Sequence, residues 1–275
     1  MKEAVASSAQ AGILAHHQAA AGLWSLGGGN YDEISFGISD ALAHAAQRLA
    51  PRAGEQILDV ATGTGWSARN VARAGARVTA VDIAADLLTA ARDLSAHMRP
   101  PIAFQLADAE SLPFPDGSFD GVISTFGVMF ARNHEKAAAE LARACRTGGR
   151  LVLATWARDG AVARFFGIVG KHSGAPPPPV SPLAWGEPDH VRSLLGRDFD
   201  LVFEHGVNNA YYPDTQTVWD AFTTGFGPVR GLAQSLDASR LEAFRRDIDA
   251  FHAAYATEAG LHLKREYLVT IGRRR

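Results

Sequence analysis

The chain has 275 residues, enough for one substantial domain with an insertion or at most two small ones. Hydrophobic residues make up 47% and charged residues 20%, an ordinary globular balance, and a formal charge of −2 provides no overall field to hold a polyanion, which disfavours nucleic acid as the main partner. A single cysteine, Cys145, excludes an intrachain disulfide; with no apolar run of the roughly 18–20 residues that span a bilayer and no secretory leader, the expectation is a soluble, cytoplasmic protein.

Residues 1–50 are alanine-rich and helical in pattern, interrupted by Gly27-Gly28-Gly29-Asn30, a flexible turn flanked by Trp24 and Tyr31. They read as an N-terminal helical cap, in which His16 and His17 either line a substrate pocket or lie on a solvated helix face, the second favoured because the nearby sequence offers them no partners. The first strand is the run Ile57, Leu58, Val60 in Q-I-L-D-V-A-T-G-T-G, apolar as in a buried parallel strand. It breaks into Ala61-Thr62-Gly63-Thr64-Gly65, a turn whose glycines let bare backbone approach a ligand. Ala68, Val71 and Ala72 then recur at helical spacing until Gly75 stops the helix. This is the first βα unit of a nucleotide-type α/β fold, with its ligand at the carboxyl end of the strand.

Gly63, Gly65 and Ala68 satisfy a dinucleotide fingerprint, with Asp82 seventeen positions beyond Gly65. Asp59 argues the other way: its carboxylate would meet a pyrophosphate as a like charge, but suits a ligand bearing an ammonium group. Arg77 to Val81 is a second strand ending at Asp82, an acid placed to accept from both hydroxyls of an unphosphorylated ribose or to cap the helix starting near Ala84. Leu87, Leu88, Ala91 and Leu94 give that helix one apolar face. A third strand, Ile102 to Leu106, runs into A-D-A-E-S-L-P-F-P-D-G-S-F-D, and Phe119 to Ser124 is the fourth. Beyond it, Phe126, Met129 and Phe130 suggest an apolar, aromatic-tolerant pocket. His134 opens a helix and is a candidate base; Cys145, late in that helix, reads as buried filler; Thr147-Gly148-Gly149 ends it, and Arg150 to Trp156 is the fifth strand. Composition then shifts toward Gly and the four prolines Pro176–Pro179, a stiff extended segment. Asp200 to Val207 reads as a strand, Thr217–Phe226 and Ala238–Tyr255 as helices of a variable cover, and Glu266 to Gly272 as the closing strand.

D-V-A-T-G-T-G resembles motif I of the class I S-adenosylmethionine (SAM)-dependent methyltransferases, in which the first glycine can be alanine, here Ala61. The stretch from Asp108 to Asp120 resembles the segment after strand 3 in the methyltransferases related to the ubiquinone and menaquinone C-methyltransferases, and R-T-G-G-R-L-V-L-A-T-W resembles their fifth strand, with Thr147 where proline is usual. The resemblance spans about residues 31–156 and, loosely, the last strand. It implies a Rossmann-like α/β fold: a seven-stranded, mostly parallel sheet with helices on both faces and an antiparallel C-terminal strand, plus the N-terminal cap and a lid insertion. The implied division is a cap at 1–50, a SAM-binding core at 51–156, a lid or substrate insertion at 157–198 and completing elements at 199–275.

By the same resemblance, Asp59, Ala61, Thr62, Gly63 and Gly65 lie at the methionyl end of SAM, Asp82 and Ile83 at the ribose, and Asp108, Ala109 and Glu110 at the adenine, while Thr125 and Phe126 lie near the methyl and Tyr31 closes over the cofactor. The expected activity is methyl transfer by in-line displacement to a small, apolar or aromatic molecule; no catalytic residue is assigned, and no spacing in the sequence suits a metal. The absence of an N-P-P-Y-type tetrapeptide after the fourth strand counts against base N-methylation. Two other readings stand beside it: a SAM-binding protein used for non-methyl chemistry or binding alone, and an NAD-dependent oxidoreductase, which would leave the Asp108 segment unexplained.

Overall fold

The computed structural model describes residues 12–275. Its centre is one sheet whose strands run in the order β3-β2-β1-β4-β5-β8-β6, with the two-residue β7 (Ala256–Thr257) paired to β8 alone. The strands are β1 (Gln56–Val60), β2 (Arg77–Asp82), β3 (Ala103–Leu106), β4 (Phe119–Thr125), β5 (Cys145–Trp156), β6 (Phe199–Tyr212) and β8 (Gly260–Arg274). β1 through β5 pair in parallel, and β8 runs antiparallel between β5 and β6. That is the sheet expected from the sequence, with β6 and β8 each extended beyond the expected ranges into a long ribbon. Buried on both faces, the inner strands are continuous apolar runs: Ile57, Leu58, Val122, Ile123 and Leu151 to Ala154 are fully buried.

Helices cover both faces. α3 (Ser39–Leu49) and α4 (Trp66–Ala72) pack together on one, following α1 (Gln18–Ser25) and α2 (Tyr31–Phe36); α5 (Ala85–Ser95) joins β2 to β3. On the other, α6 (His134–Ala144), capped by the Asn133 side chain on the N–H of Lys136, packs against α8 (Pro188–Leu195). The remaining helices, α7 (Ala161–Ser173), α9 (Thr215–Gly225), α10 (Gly227–Ser235) and α11 (Ala238–Ala253), gather with α1 and α2 around a second apolar cluster containing Phe165, Phe226 and Phe244. Aspartates at Asp214 and Asp237 cap α9 and α11 through the N–H groups of Thr217 and Arg240. Segment 157–198 is divided between two neighbourhoods: α7 belongs to this aromatic layer, while α8 packs on α6 and β6.

The boundary between α6 and β5 also differs from the expectation. The helix ends at Ala144, and Cys145 to Gly149 already belong to β5. Gly148, at φ +70°, takes up an irregularity where the β4–β5 register shifts between Phe119 and Gly121, so the glycines mark a bulge rather than a helix stop. Cys145 is buried as expected, and burial pushes its thiol up to about 11. No helix among the described residues is long and apolar enough to cross a membrane.

Candidate active site

The order β3-β2-β1-β4 places the chain reversal between β1 and β4, and the loops leaving the carboxyl ends of these strands converge there. Ala61 and Gly63, both at φ +57°, form the tip of the first loop. From β4 comes Gly127, where a Cβ would lie 2.4 Å from that of Ala61, so only glycine lets the two loop tips touch. Ser124 fastens them, donating to the Val60 carbonyl at 2.7 Å and accepting from the Val128 N–H at 3.1 Å.

Between these tips and the N-terminal helices lies a half-open recess of about 710 Å³, counting the solvent at its mouth. Its floor is Ala61, Gly63, Asp82, Ile83, Asp108, Ala109, Thr125 and Phe126; His17, Trp24 and Tyr31 close it from above. Nine of the thirteen residues expected at the ligand therefore meet at one place. The other four sit behind it. Asp59 is fully buried, Thr62 donates to its Oδ2 at 2.6 Å, and its Oδ1 has no partner. Gly65 packs against Phe104 and Ala91 rather than the recess. Glu110 is directed to the N-terminal segment and to the N–H of Asn133, at 2.6 Å.

The electrostatics follow from burial. Asp59 is pushed up to about 7, chiefly by loss of solvent, with the nearby Asp82 adding and the Thr62 hydroxyl and Ala68 N–H opposing. Burial likewise raises Asp82, against hydrogen bonds from the N–H groups of Ala84 and Gly63, each at 2.8 Å. Asp82 thus serves both the helix start and the glycine turn. Asp108 is pushed up by burial too, but the hydrogen bond from His17, the N–H of Glu110 and the N–H of Leu14 bring it below the ordinary carboxylate range.

His17 overturns its expected place on a wet helix face. It is 6% exposed, its Nδ1 lies 2.8 Å from Asp108 Oδ2, and its Nε2 accepts from the Arg132 N–H at 3.1 Å. A solvated face was the wrong reading because the partners that hold this ring lie more than ninety positions along the chain. His16, His17 and Glu110 come close enough to share an ion, yet both His17 nitrogens already have protein partners. Tyr31 is carried into place by its neighbour: Asp32 accepts from Thr64 Oγ1 at 2.9 Å and from Trp66 Nε1 at 2.7 Å, which sets the Tyr31 ring over Gly63. His134 is no base here. It lines neither this recess nor the next, its Nδ1 pairs with His190 Nε2 at 3.0 Å, and burial depresses it to about 4.

A second recess of about 720 Å³ adjoins the first, and Trp24, Tyr31, Phe126 and Phe130 line both. Its walls are aromatic rings from α7, α9 and α11, with Phe126 stacked on Trp156 at 4.0 Å between centroids. His252, Tyr212 and Arg265 are its polar groups beyond Tyr31 and the two tryptophans. None of the three was singled out in the sequence, where the helix carrying His252 shows only an apolar spacing of Phe244, Ile248 and Phe251.

The first recess carries two carboxylates, one histidine and no lysine or arginine. It is an anionic recess beside an apolar chamber. Residues 58–153 match a family described as "Methyltransferase domain". The protein Rv1405c of Mycobacterium tuberculosis is 34% identical over 224 residues, 79% of each chain. The demethylmenaquinone methyltransferase of Tropheryma whipplei (strain Twist) is 40% identical over 109 residues, 40% of this chain and 45% of that protein. In fold, the YcgJ protein of Bacillus subtilis superposes with a TM-score of 0.60 at 17% identity, covering 86% of this chain and 99% of that one. The chain belongs to the SAM-dependent methyltransferases, in one family with the mycobacterial protein. SAM is its cofactor.

Proposed function

We propose that the protein transfers the methyl group of SAM to a small, apolar or aromatic molecule held in the second recess. The observation that carries this reading is the pairing of the two chambers: a polar, anionic one at the strand ends opens beside an aromatic one, with four side chains common to both. Their contrast matches the two reactants. SAM supplies an electrophilic methyl on a sulfonium when bound, and in-line displacement then needs chiefly that the acceptor be held collinear with it in a dry place.

The residues fit that cofactor. Asp82 has lone pairs beyond those given to Gly63 and Ala84, so its carboxylate would take the ribose hydroxyls, with Ile83 beside it. Asp108 Oδ1 accepts one N–H, from Glu110, and keeps capacity for the exocyclic amine of adenine, with the Ala109 N–H for a ring nitrogen. Glu110 contributes from behind by holding His16 and Asn133. The methionyl end would lie along Ala61 and Gly63, within the bend that Thr62 and Gly65 shape. Asp59 supplies negative charge from behind that turn, favouring an ammonium group without touching it. Phe126 stands where the two chambers meet, with Thr125 beside it in the first, and Tyr31 and Trp24 exclude water above them. A pyrophosphate finds no cation here, which weighs against the nicotinamide reading. The lid and cap assignments for 157–198 and 1–50 belong to this proposal: α1, α2 and α7 contribute the rings over the junction.

Titration calorimetry with SAM, S-adenosylhomocysteine and NADH tests it. The expected result is micromolar binding of the two adenosyl ligands, weakened at least about tenfold in Asp82→Asn and in Asp108→Asn, each having lost a charge-assisted bond. Binding of NADH alone would overturn the reading.

A further inference from the structure

His252 projects from α11 into the aromatic recess and is 3% exposed. Phe251 meets its ring edge-on at 4.8 Å between centroids, and Phe165 and Phe222 stand at 6.2 Å. Its Nδ1 lies 2.8 Å from the carbonyl oxygen of Ile248, one helical turn earlier. A carbonyl only accepts, so Nδ1 carries the hydrogen and the lone pair of the neutral ring is on Nε2. Among the described residues Nε2 has no hydrogen-bonding partner, and the ring lines the chamber. A basic nitrogen of fixed tautomer therefore sits in the otherwise aromatic compartment that adjoins the recess beside Phe126.

Its charge environment keeps it in the neutral, proton-accepting form. Burial lowers His252 below the ordinary histidine value, opposed by the bond to Ile248 and by Asp249 on its own helix, while Arg265 from β8 adds to the lowering. α7 and α9 present Phe165 and Phe222, which do not titrate. Arg265 is held by Asn208 Oδ1 at 2.7 Å and by the Gly37 carbonyl, so its guanidinium is a fixed cation in the chamber wall. A cation there repels an ammonium-type acceptor and favours one whose oxygen becomes anionic.

We propose that His252 is the general base of the acceptor chamber and that the acceptor is a flat apolar molecule bearing a phenolic or enolic hydroxyl. The inference rests on the methyl-transfer reading above and names its substrate class. The hydroxyl proton passes to Nε2, the electron pair of the O–H bond becomes available to form the bond to the methyl carbon, and the pair of the broken carbon–sulfur bond stays on sulfur. The imidazolium then returns its proton to solvent. Arg265 favours the oxygen as it acquires negative charge.

The test uses 4-nitrophenol, whose ionised form is yellow, added to the full chain saturated with S-adenosylhomocysteine at a pH where the free phenol is mostly protonated. The expected result is a larger ionised fraction for the probe bound to the wild-type protein than for the free probe at that pH. His252→Asn keeps a donor for the Ile248 carbonyl and deletes Nε2; it should bind S-adenosylhomocysteine with unchanged affinity and lower the ionised-to-neutral ratio of bound probe at least about tenfold. His252→Phe serves the same purpose should the asparagine variant not fold. Equal ionisation in the variant, or no binding of the phenol by the wild-type protein, overturns the proposal. Loss of S-adenosylhomocysteine binding by the wild-type protein would instead overturn the methyl-transfer reading beneath it.

Discussion

At the scale of single residues, the most consequential group is Asp59, an acid that burial raises to about 7. An acid raised on folding holds its proton more tightly in the native chain. Its contribution to stability is therefore complete below its ordinary value near 3.8 and declines as pH rises through about 7. A bound cation draws that proton off, so affinity for SAM should strengthen as pH rises from about 6 to about 8, and Asp59→Asn should abolish the slope. Calorimetry across that range decides it: a wild-type affinity independent of pH would uncouple Asp59 from the ligand. Gly127 presents a different kind of constraint. Gly127→Ala drives a methyl into Ala61, 2.4 Å away, and should destabilise the fold by about 1–3 kcal/mol in urea unfolding while separating the two loop tips. Asp59 is conspicuous in the sequence because it interrupts an apolar strand beside a glycine turn. Gly127 is not, because its need for a bare Cα arises from a loop some sixty positions earlier.

At the scale of elements, the described part of the N-terminal segment is clasped to the core by His17 on Asp108, with Glu110 receiving His16 and the Asn133 N–H. The two clasp members shift in opposite senses. His17 is raised chiefly by its bond to Asp108, so its share of stability is complete below its ordinary 6.5 and is lost as pH climbs through its raised value. Asp108 is lowered, so its share is complete above 3.8 and is lost as pH falls through its depressed value. The clasp is therefore strongest between about pH 4 and pH 6.5, and a neutral hydrogen bond remains above that. Hydrogen-exchange protection of Leu14 to Ser25, corrected for the intrinsic rate, should fall above that window; His17→Phe should be weak at every pH. Protection that did not change with pH would show that apolar packing alone seats the segment. The sheet strands were legible, since apolar runs bounded by turns report local structure, whereas their order rests on pairings between distant stretches. The end of α6 was misplaced because Thr147-Gly148-Gly149 has the composition of a helix stop as much as of a bulge, and only the register with β4 distinguishes them.

At the scale of the whole molecule, the protein is a sheet with its helices, on which α1, α2, α7, α9, α10 and α11 build an aromatic layer with its own apolar cluster. The polar recess lay open to sequence reading because its chemistry is concentrated in short loops after consecutive strands. The aromatic chamber was legible only at Phe126 and Phe130, because Trp24, Phe166, Phe222 and His252 come from separate stretches whose spacing says only that each helix has a buried face. This division predicts how a ligand propagates. S-adenosylhomocysteine at about 100 times its dissociation constant should stabilise the fold by about 2.7 kcal/mol. Exchange protection should then rise in the loops after β1 to β4 and in α1 and α2, which roof the recess through Trp24 and Tyr31. It should rise less in α9 and α11, which touch only the second chamber, until 4-nitrophenol is added. α8, packed on α6 and β6 away from both chambers, should follow only the global stability. A single uniform rise across all helices on the first addition would mean that the two layers open as one unit, and that the acceptor chamber is already set by the cofactor before any acceptor arrives.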